Sequence, residues 1–126
     1  MGWIAVVDDD KPMLMMIREA IELDHRPVKT FSDSKHAFME LTAPNGPECD
    51  LLILDVMMPG MDGLTFCNAL QEHPRTKSIP VIIASAHENT KKLFEGSPRV
   101  RGFIHKPFDL DDLRKSLGEI LTPDDE

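Results

Sequence analysis

The feature that most constrains this chain is an alternation between short, continuous apolar runs and longer segments of helical periodicity. The runs are Trp3 to Val7 (WIAVV), Val28 to Phe31 (VKTF), Leu51 to Leu54 (LLIL), Val81 to Ala84 (VIIA) and Gly102 to Ile104 (GFI). Each is too short for a helix. Three of them are apolar at every position, as a strand covered on both faces must be. Between them, Pro12 to Asp24 sets Met13, Met16, Ile17, Ala20 and Ile21 at the spacing of one helix face, with Arg18, Glu19 and Glu22 on the other. Ser34 to Thr42, Leu64 to Glu72 and Leu110 to Leu121 follow the same rule, and Thr90 to Glu95, flanked by Gly96 and Pro98, is the shortest of five expected helices. Five strands alternating with five helices in 126 residues predict an α/β fold. The arrangement expected is one doubly wound parallel sheet with helices on both faces, joined by right-handed crossovers.

That length suits a single domain over residues 1–122, followed by an acidic, frayed tail at 123–126. No apolar run approaches the roughly 20 residues of a membrane span, and Met1-Gly2-Trp3 does not open a secretory signal, so a cytoplasmic protein is expected. The formal charge of −8, from 22 acidic against 14 basic residues, argues against direct nucleic-acid binding. Cys49 and Cys67 lack metal-like spacing and are expected to be reduced and structural. The histidines His25, His36, His73, His87 and His105 are scattered, and none is assigned to a metal.

In a parallel sheet of this kind, ligands bind beyond the carboxyl ends of the strands. The first strand ends in Asp8, Asp9 and Asp10, the third in Asp55 within LLILDVMMPGMDG, the fourth in Ser85 and Ala86, and the fifth in Lys106 followed by Pro107. Carboxylates gathered on one rim repel one another, and a hard divalent cation such as Mg²⁺ neutralises them. A lysine ammonium and a hydroxyl add donors for the equatorial oxygens of a phosphoryl group, and an aspartate can itself be the covalent acceptor. Taken singly, each residue has a plainer role. Asp10 stands where a helix cap belongs, and Asp62-Gly63 reads as a turn into the third helix. Only the joint placement at strand ends favours chemistry.

The set Asp8-Asp9, Asp55 followed by MMPGMDG, Ser85-Ala86 and Lys106-Pro107-Phe108 resembles the receiver domain of two-component response regulators along essentially the whole chain. The resemblance implies a flavodoxin-like sheet of order 2-1-3-4-5 in which Asp55 takes a phosphoryl group from a histidine kinase or histidine phosphotransfer protein. It implies that Asp9 and Asp55 bind Mg²⁺ directly, Asp8 directly or through water, and Met57 through its backbone carbonyl. Ser85 would donate to the phosphoryl group, Lys106 would pair with it, and Phe103 would be the switch aromatic. The Lys106-Pro107 bond matches the family's cis peptide. Readout by a downstream effector protein or domain is expected on the face of the fourth helix, fifth strand and fifth helix, and the resemblance allows a phosphorylation-dependent homodimer. The domain would phosphorylate and dephosphorylate itself, as a signalling module rather than an enzyme with a turned-over substrate.

Two departures bear on rate and output. Phe103 lacks a tyrosine hydroxyl, and Met57 and His87 occupy the variable positions flanking the path of the attacking water, where apolar Met57 is expected to prolong the phosphoryl-aspartate. Leu14 and Met15 fall off the buried stripe of the first helix and are expected to form an exposed apolar spot for a kinase. Competing readings are an unphosphorylated pseudo-receiver scaffold and a phosphatase of the haloacid dehalogenase kind. The second of these resembles an Asp-x-Asp motif after the first strand, whereas Asp55 follows the third with Met57 two residues on.

Overall fold

The computed structural model describes residues 3–23, 25–44, 49–55, 63–86, 92, 94, 96 and 99–120. Within them the chain forms strands β1 (Trp3–Val7), β2 (Val28–Phe31), β3 (Cys49–Asp55), β4 (Val81–Ser85) and β5 (Val100–His105). All pair in parallel in one sheet of order β2-β1-β3-β4-β5. The sheet order agrees with expectation; the helix number does not. Four helices are present among the described residues rather than five: α1 (Lys11–Leu23), α2 (Ser34–Leu41), α3 (Gly63–Gln71) and, last in the chain, α4 (Leu110–Ile120). The segment expected as a helix at 90–95 falls largely outside the described residues, and that stretch is too short and too closely bracketed by Gly96 and Pro98 to carry a strong periodic signal.

The unbroken apolar strands bury both faces, and their residues divide by period two. Trp3, Ala5, Val7, Leu52, Leu54, Val81 and Ile83 pack with Ala37 and Leu41 of α2 and with Phe66, Cys67 and Leu70 of α3. Ile4, Val6, Leu51, Ile53 and Ile82 pack with Leu14, Ile17, Ala20 and Ile21 of α1 and with Leu113 and Leu117 of α4. Leu14, expected on the surface, is therefore a core residue, while Met13 and Met16 are only half-buried. The buried stripe of α1 is rotated by about one position from the one read in the sequence. Met15, at 65% exposure, remains outside it.

Helix ends are fixed by their own side chains. Asp10 caps α1 by accepting from the Met13 amide at 3.3 Å, and Asp33 caps α2 by accepting from the Lys35 amide at 3.0 Å. At the start of α4, Asp109 accepts from the Asp112 amide at 2.9 Å and Asp112 accepts from the Asp109 amide at 3.4 Å, a reciprocal capping pair. The chain leaves α1 through His25, whose φ of 60° lies in the left-handed region. The His25 amide donates to the Glu22 carbonyl and the Arg26 amide to the Ile21 carbonyl, which is the Schellman pattern that ends a helix sharply.

Candidate phosphoryl and metal site

Asp8 follows the last residue of β1, Asp55 is the last of β3, Ser85 the last of β4, and Lys106 follows the last of β5. The parallel register sets these ends on one rim, with Asp55 opposite Ala84 and Ser85 opposite His105. The Lys106 amide donates to the Ser85 carbonyl at 2.8 Å, and the Asp8 amide donates to the Phe31 carbonyl at 3.0 Å, so the backbone beneath the polar side chains is held by the sheet itself. The Lys106-Pro107 peptide is cis.

The three consecutive aspartates do different things. Asp8 is 1% exposed; one carboxylate oxygen accepts from the Asp10 amide at 2.9 Å and the other from Lys106 Nζ at 2.8 Å. Asp9 is exposed, yet an oxygen of its carboxylate lies within 4.8 Å of oxygens from both Asp8 and Asp55. Asp10 turns outward to cap α1. Lys106 Nζ also stands 3.6 Å from Asp55 Oδ2, so a single ammonium bridges the two buried carboxylates. Ser85 is buried beside them at 5% exposure.

The electrostatics follow from burial. Removal from water pushes the Asp8 carboxyl above its ordinary value, and the neighbouring charge of Asp55 adds to that, while Lys106 and the Asp10 amide pull the other way. Burial acts to lower the Lys106 value too, but its hydrogen bond and attraction to Asp8, with the attraction of Asp55, outweigh it, and the net direction is upward. Lys106 is thus a firmly charged ammonium at neutral pH. One ammonium facing three carboxylates leaves negative charge uncompensated, and the donors are all hard oxygens. That set could hold a divalent cation, and among the described residues it is the one acidic or histidine cluster with this geometry.

Of the residues expected at the site, Asp8, Asp9, Asp55, Ser85 and Lys106 are therefore brought together. Met57, expected to give a backbone carbonyl, lies outside the described residues, as do Asp62 and His87. Gly63 is the first residue of α3. Phe103 is half-buried on β5 beside the α2/α3 core, its ring centroid 6.5 Å from that of Phe94. The two cysteines are free; burial pushes the Cys49 thiol up to about 12 and the Cys67 thiol to about 11, which leaves both protonated and poorly nucleophilic near neutral pH. Both Asp8 and Lys106 were expected on this rim, but the direct ion pair between them rests on a side-chain distance across the fold, which spacing along the chain does not fix.

The family model for the response regulator receiver domain matches residues 4–118. This chain belongs to the response regulator receiver family. The receiver domain is 34% identical over 107 residues to the response regulator PleD of Caulobacter vibrioides, a match covering 84% of this chain and 23% of that protein. It is 30% identical over 126 residues to the response regulator MprA of Mycolicibacterium vanbaalenii, covering 97% of this chain and 52% of that one. The receiver domain therefore spans about a quarter to a half of the length of these relatives. Among solved structures, the chemotaxis response regulator CheY4 of Vibrio cholerae superposes with a TM-score of 0.83 at 26% identity, over 95% of this chain and 98% of that one. No helix among the described residues is long and apolar enough to cross a membrane.

Proposed function

We propose that this receiver domain accepts a phosphoryl group on Asp55 from a phosphohistidine of a histidine kinase or histidine phosphotransfer protein, and that the phosphorylated form controls a downstream protein or domain. The observation that carries the reading is the placement of Asp55: a carboxylate at a rigid strand end, 3.6 Å from the Lys106 ammonium and within the three-carboxylate cluster. An Asp55 oxygen attacks phosphorus, the P–N bond breaks, and the imidazole leaves with its electron pair and takes a proton from solvent. Lys106 is positioned to exchange part of its contact with Asp8 for the incoming phosphoryl oxygens, and the buried Ser85 hydroxyl supplies a further donor. Asp8, Asp9 and Asp55 would hold Mg²⁺, with the Met57 carbonyl as a further ligand, and the bound ion would neutralise charge on the phosphoryl oxygens.

Engagement of Ser85 by the phosphoryl group gives the switch its starting point. Ser85 and Phe103 lie on adjacent strands, with Ile83 opposite Phe103 and Ser85 opposite His105. A shift at Ser85 would therefore bear on β5 at His105, two residues from Phe103. Intact mass spectrometry after incubation with Mg²⁺ and a small-molecule phosphoryl donor tests the assignment. The expected result is a gain of one phosphoryl group in the wild type and none in Asp55→Asn. No gain in either protein, or an equal gain in both, would sink it.

A further inference from the structure

A second surface lies on the outer flank of the sheet, along α1 and the end of β2. Lys11, Leu14, Met15 and Arg18 fall at i, i+3, i+4 and i+7 of α1 and form one stripe of that helix. With Thr30 and Ser32 at the end of β2 they line a groove of about 310 Å³. The floor is apolar, and Met15 leaves most of its side chain in water. The two ends of the stripe are cations, in a chain whose formal charge is −8. Arg18 does approach Glu22 at 3.5 Å, but both side chains are more than half exposed, and such a pair is readily exchanged.

Beside this groove the sheet ends. β2 is an edge strand, paired with β1 alone among the described residues. The Pro27 and Phe31 carbonyls accept from the Ile4 and Asp8 amides, so by the period of two the main-chain groups of Val28 and Thr30 point outward, away from β1. On the α2 side this edge is guarded: Lys29 reaches 3.5 Å to Glu40 and lies 5.0 Å over the Trp3 ring, a charge of the kind that discourages strand pairing. On the α1 side the row of outward backbone groups runs along the groove, where the cations among the described lining residues, Lys11 and Arg18, stand at the two ends of the helix stripe rather than over the middle of the strand edge.

We infer that the α1–β2 groove is a docking site for an extended acidic segment of a partner protein, which adds a strand to the β2 edge. Its main chain pairs with Val28 and Thr30, one apolar side chain enters the groove over Leu14 and Met15, and flanking carboxylates meet Lys11 and Arg18. Main-chain pairing supplies affinity, and the cation, apolar, apolar, cation stripe supplies the choice of sequence. The inference stands apart from phosphoryl transfer, which the mass measurement reads independently on the same protein.

The probe is a fluorescently labelled heptapeptide alternating glutamate with leucine and valine, followed by anisotropy, with amide hydrogen exchange of the domain measured in parallel. Saturable binding is expected, weakened about tenfold or more by Met15→Glu and by Arg18→Glu, and weakened by added salt. Slower exchange at the Val28 and Thr30 amides is expected in the complex. A peptide N-methylated at alternate amides should bind far less well, because it cannot complete the ladder, and this control involves no change to the domain. No saturable binding, equal binding of a lysine-for-glutamate peptide, equal binding of the N-methylated peptide, or wild-type affinity in both variants would overturn the inference. So would concentration-dependent dimerisation of the free domain abolished by Met15→Glu, which would make the occupant a second copy of this chain.

Discussion

Within the acidic cluster Asp8 is more deeply buried than Asp55, at 1% against 6% exposure, and stands nearer to Lys106, at 2.8 Å against 3.6 Å. Its folded-state value lies above the ordinary 3.8, so the folded form keeps the proton to a higher pH than the unfolded chain does. Stability is therefore lost as pH rises from 3.8 through the raised value, and at neutral pH the cation-free domain bears that cost. Lys106 has the opposite consequence: its raised value contributes stability that is fully present below 10.5 and is lost as pH climbs past its folded-state value. Asp8→Asn in the absence of divalent cation should accordingly melt higher than the wild type at pH 7, with the gap closing toward pH 4. Thermal melts across that range check it, and a gap that widened on acidification would refute the argument. His25 offers a second residue-scale test. Its left-handed backbone costs about 1 kcal/mol that glycine does not incur, so His25→Gly should raise the unfolding free energy by a comparable amount, read as a higher urea midpoint at unchanged slope.

At the scale of elements, the joint between α3 and the start of β5 rests on a buried arginine. Arg99 is 6% exposed, and its terminal nitrogens donate to the carbonyls of Cys67 at 3.1 Å, Thr76 at 2.7 Å and Ile79 at 3.3 Å. Thr76, itself fully buried, donates through its hydroxyl to the Leu70 carbonyl at 2.7 Å. Together they satisfy carbonyls near the C-terminal end of α3 and bind the 73–80 connection to the sheet, a cation meeting the negative end of a helix. Burial lowers the Arg99 value, which shows the cost of keeping that charge inside. Removing it by Arg99→Ala leaves three carbonyls without their donor and opens a cavity. A loss of about 2–4 kcal/mol in denaturant unfolding is expected. A loss below about 0.5 kcal/mol would mean the surrounding chain re-forms those bonds without help.

For the whole molecule, the site is a place where the fold holds like charges together that would separate if the chain unfolded. Anything that binds the cluster in the folded state alone must stabilise the domain in proportion to occupancy, by about 2.7 kcal/mol at a hundredfold excess over the dissociation constant. Titration with Mg²⁺ should therefore raise the melting temperature of the wild type, and Asp9→Asn should largely abolish the rise, since Asp9 is the exposed member of the cluster. An unchanged rise in Asp9→Asn would place the ion elsewhere.

The alternation of apolar runs with amphipathic segments determined the parallel α/β sheet by itself, because strands buried on both faces require helices on both. Asp8, Asp9, Asp55, Ser85 and Lys106 were legible for a related reason: each stands at the end of a strand, and parallel strands bring all such ends to one rim. The division of labour within Asp8-Asp9-Asp10 was less so, although the capping position of Asp10 could be read from its place before α1. What local sequence could not determine is whatever depends on angle and distance across the fold. The face of α1 that enters the core was displaced from the periodic reading, because four methionine and leucine residues in a row, Met13 to Met16, give the helix two nearly equivalent apolar sides and only the sheet beneath selects between them. The Asp8 to Lys106 pair, the buried Arg99 and the groove along β2 all join residues distant in the chain, and long-range geometry of that kind is fixed by packing rather than by spacing. Sequence placed the carboxylates on one rim; the tertiary structure decided that a lysine from the far end of the chain would bridge two of them.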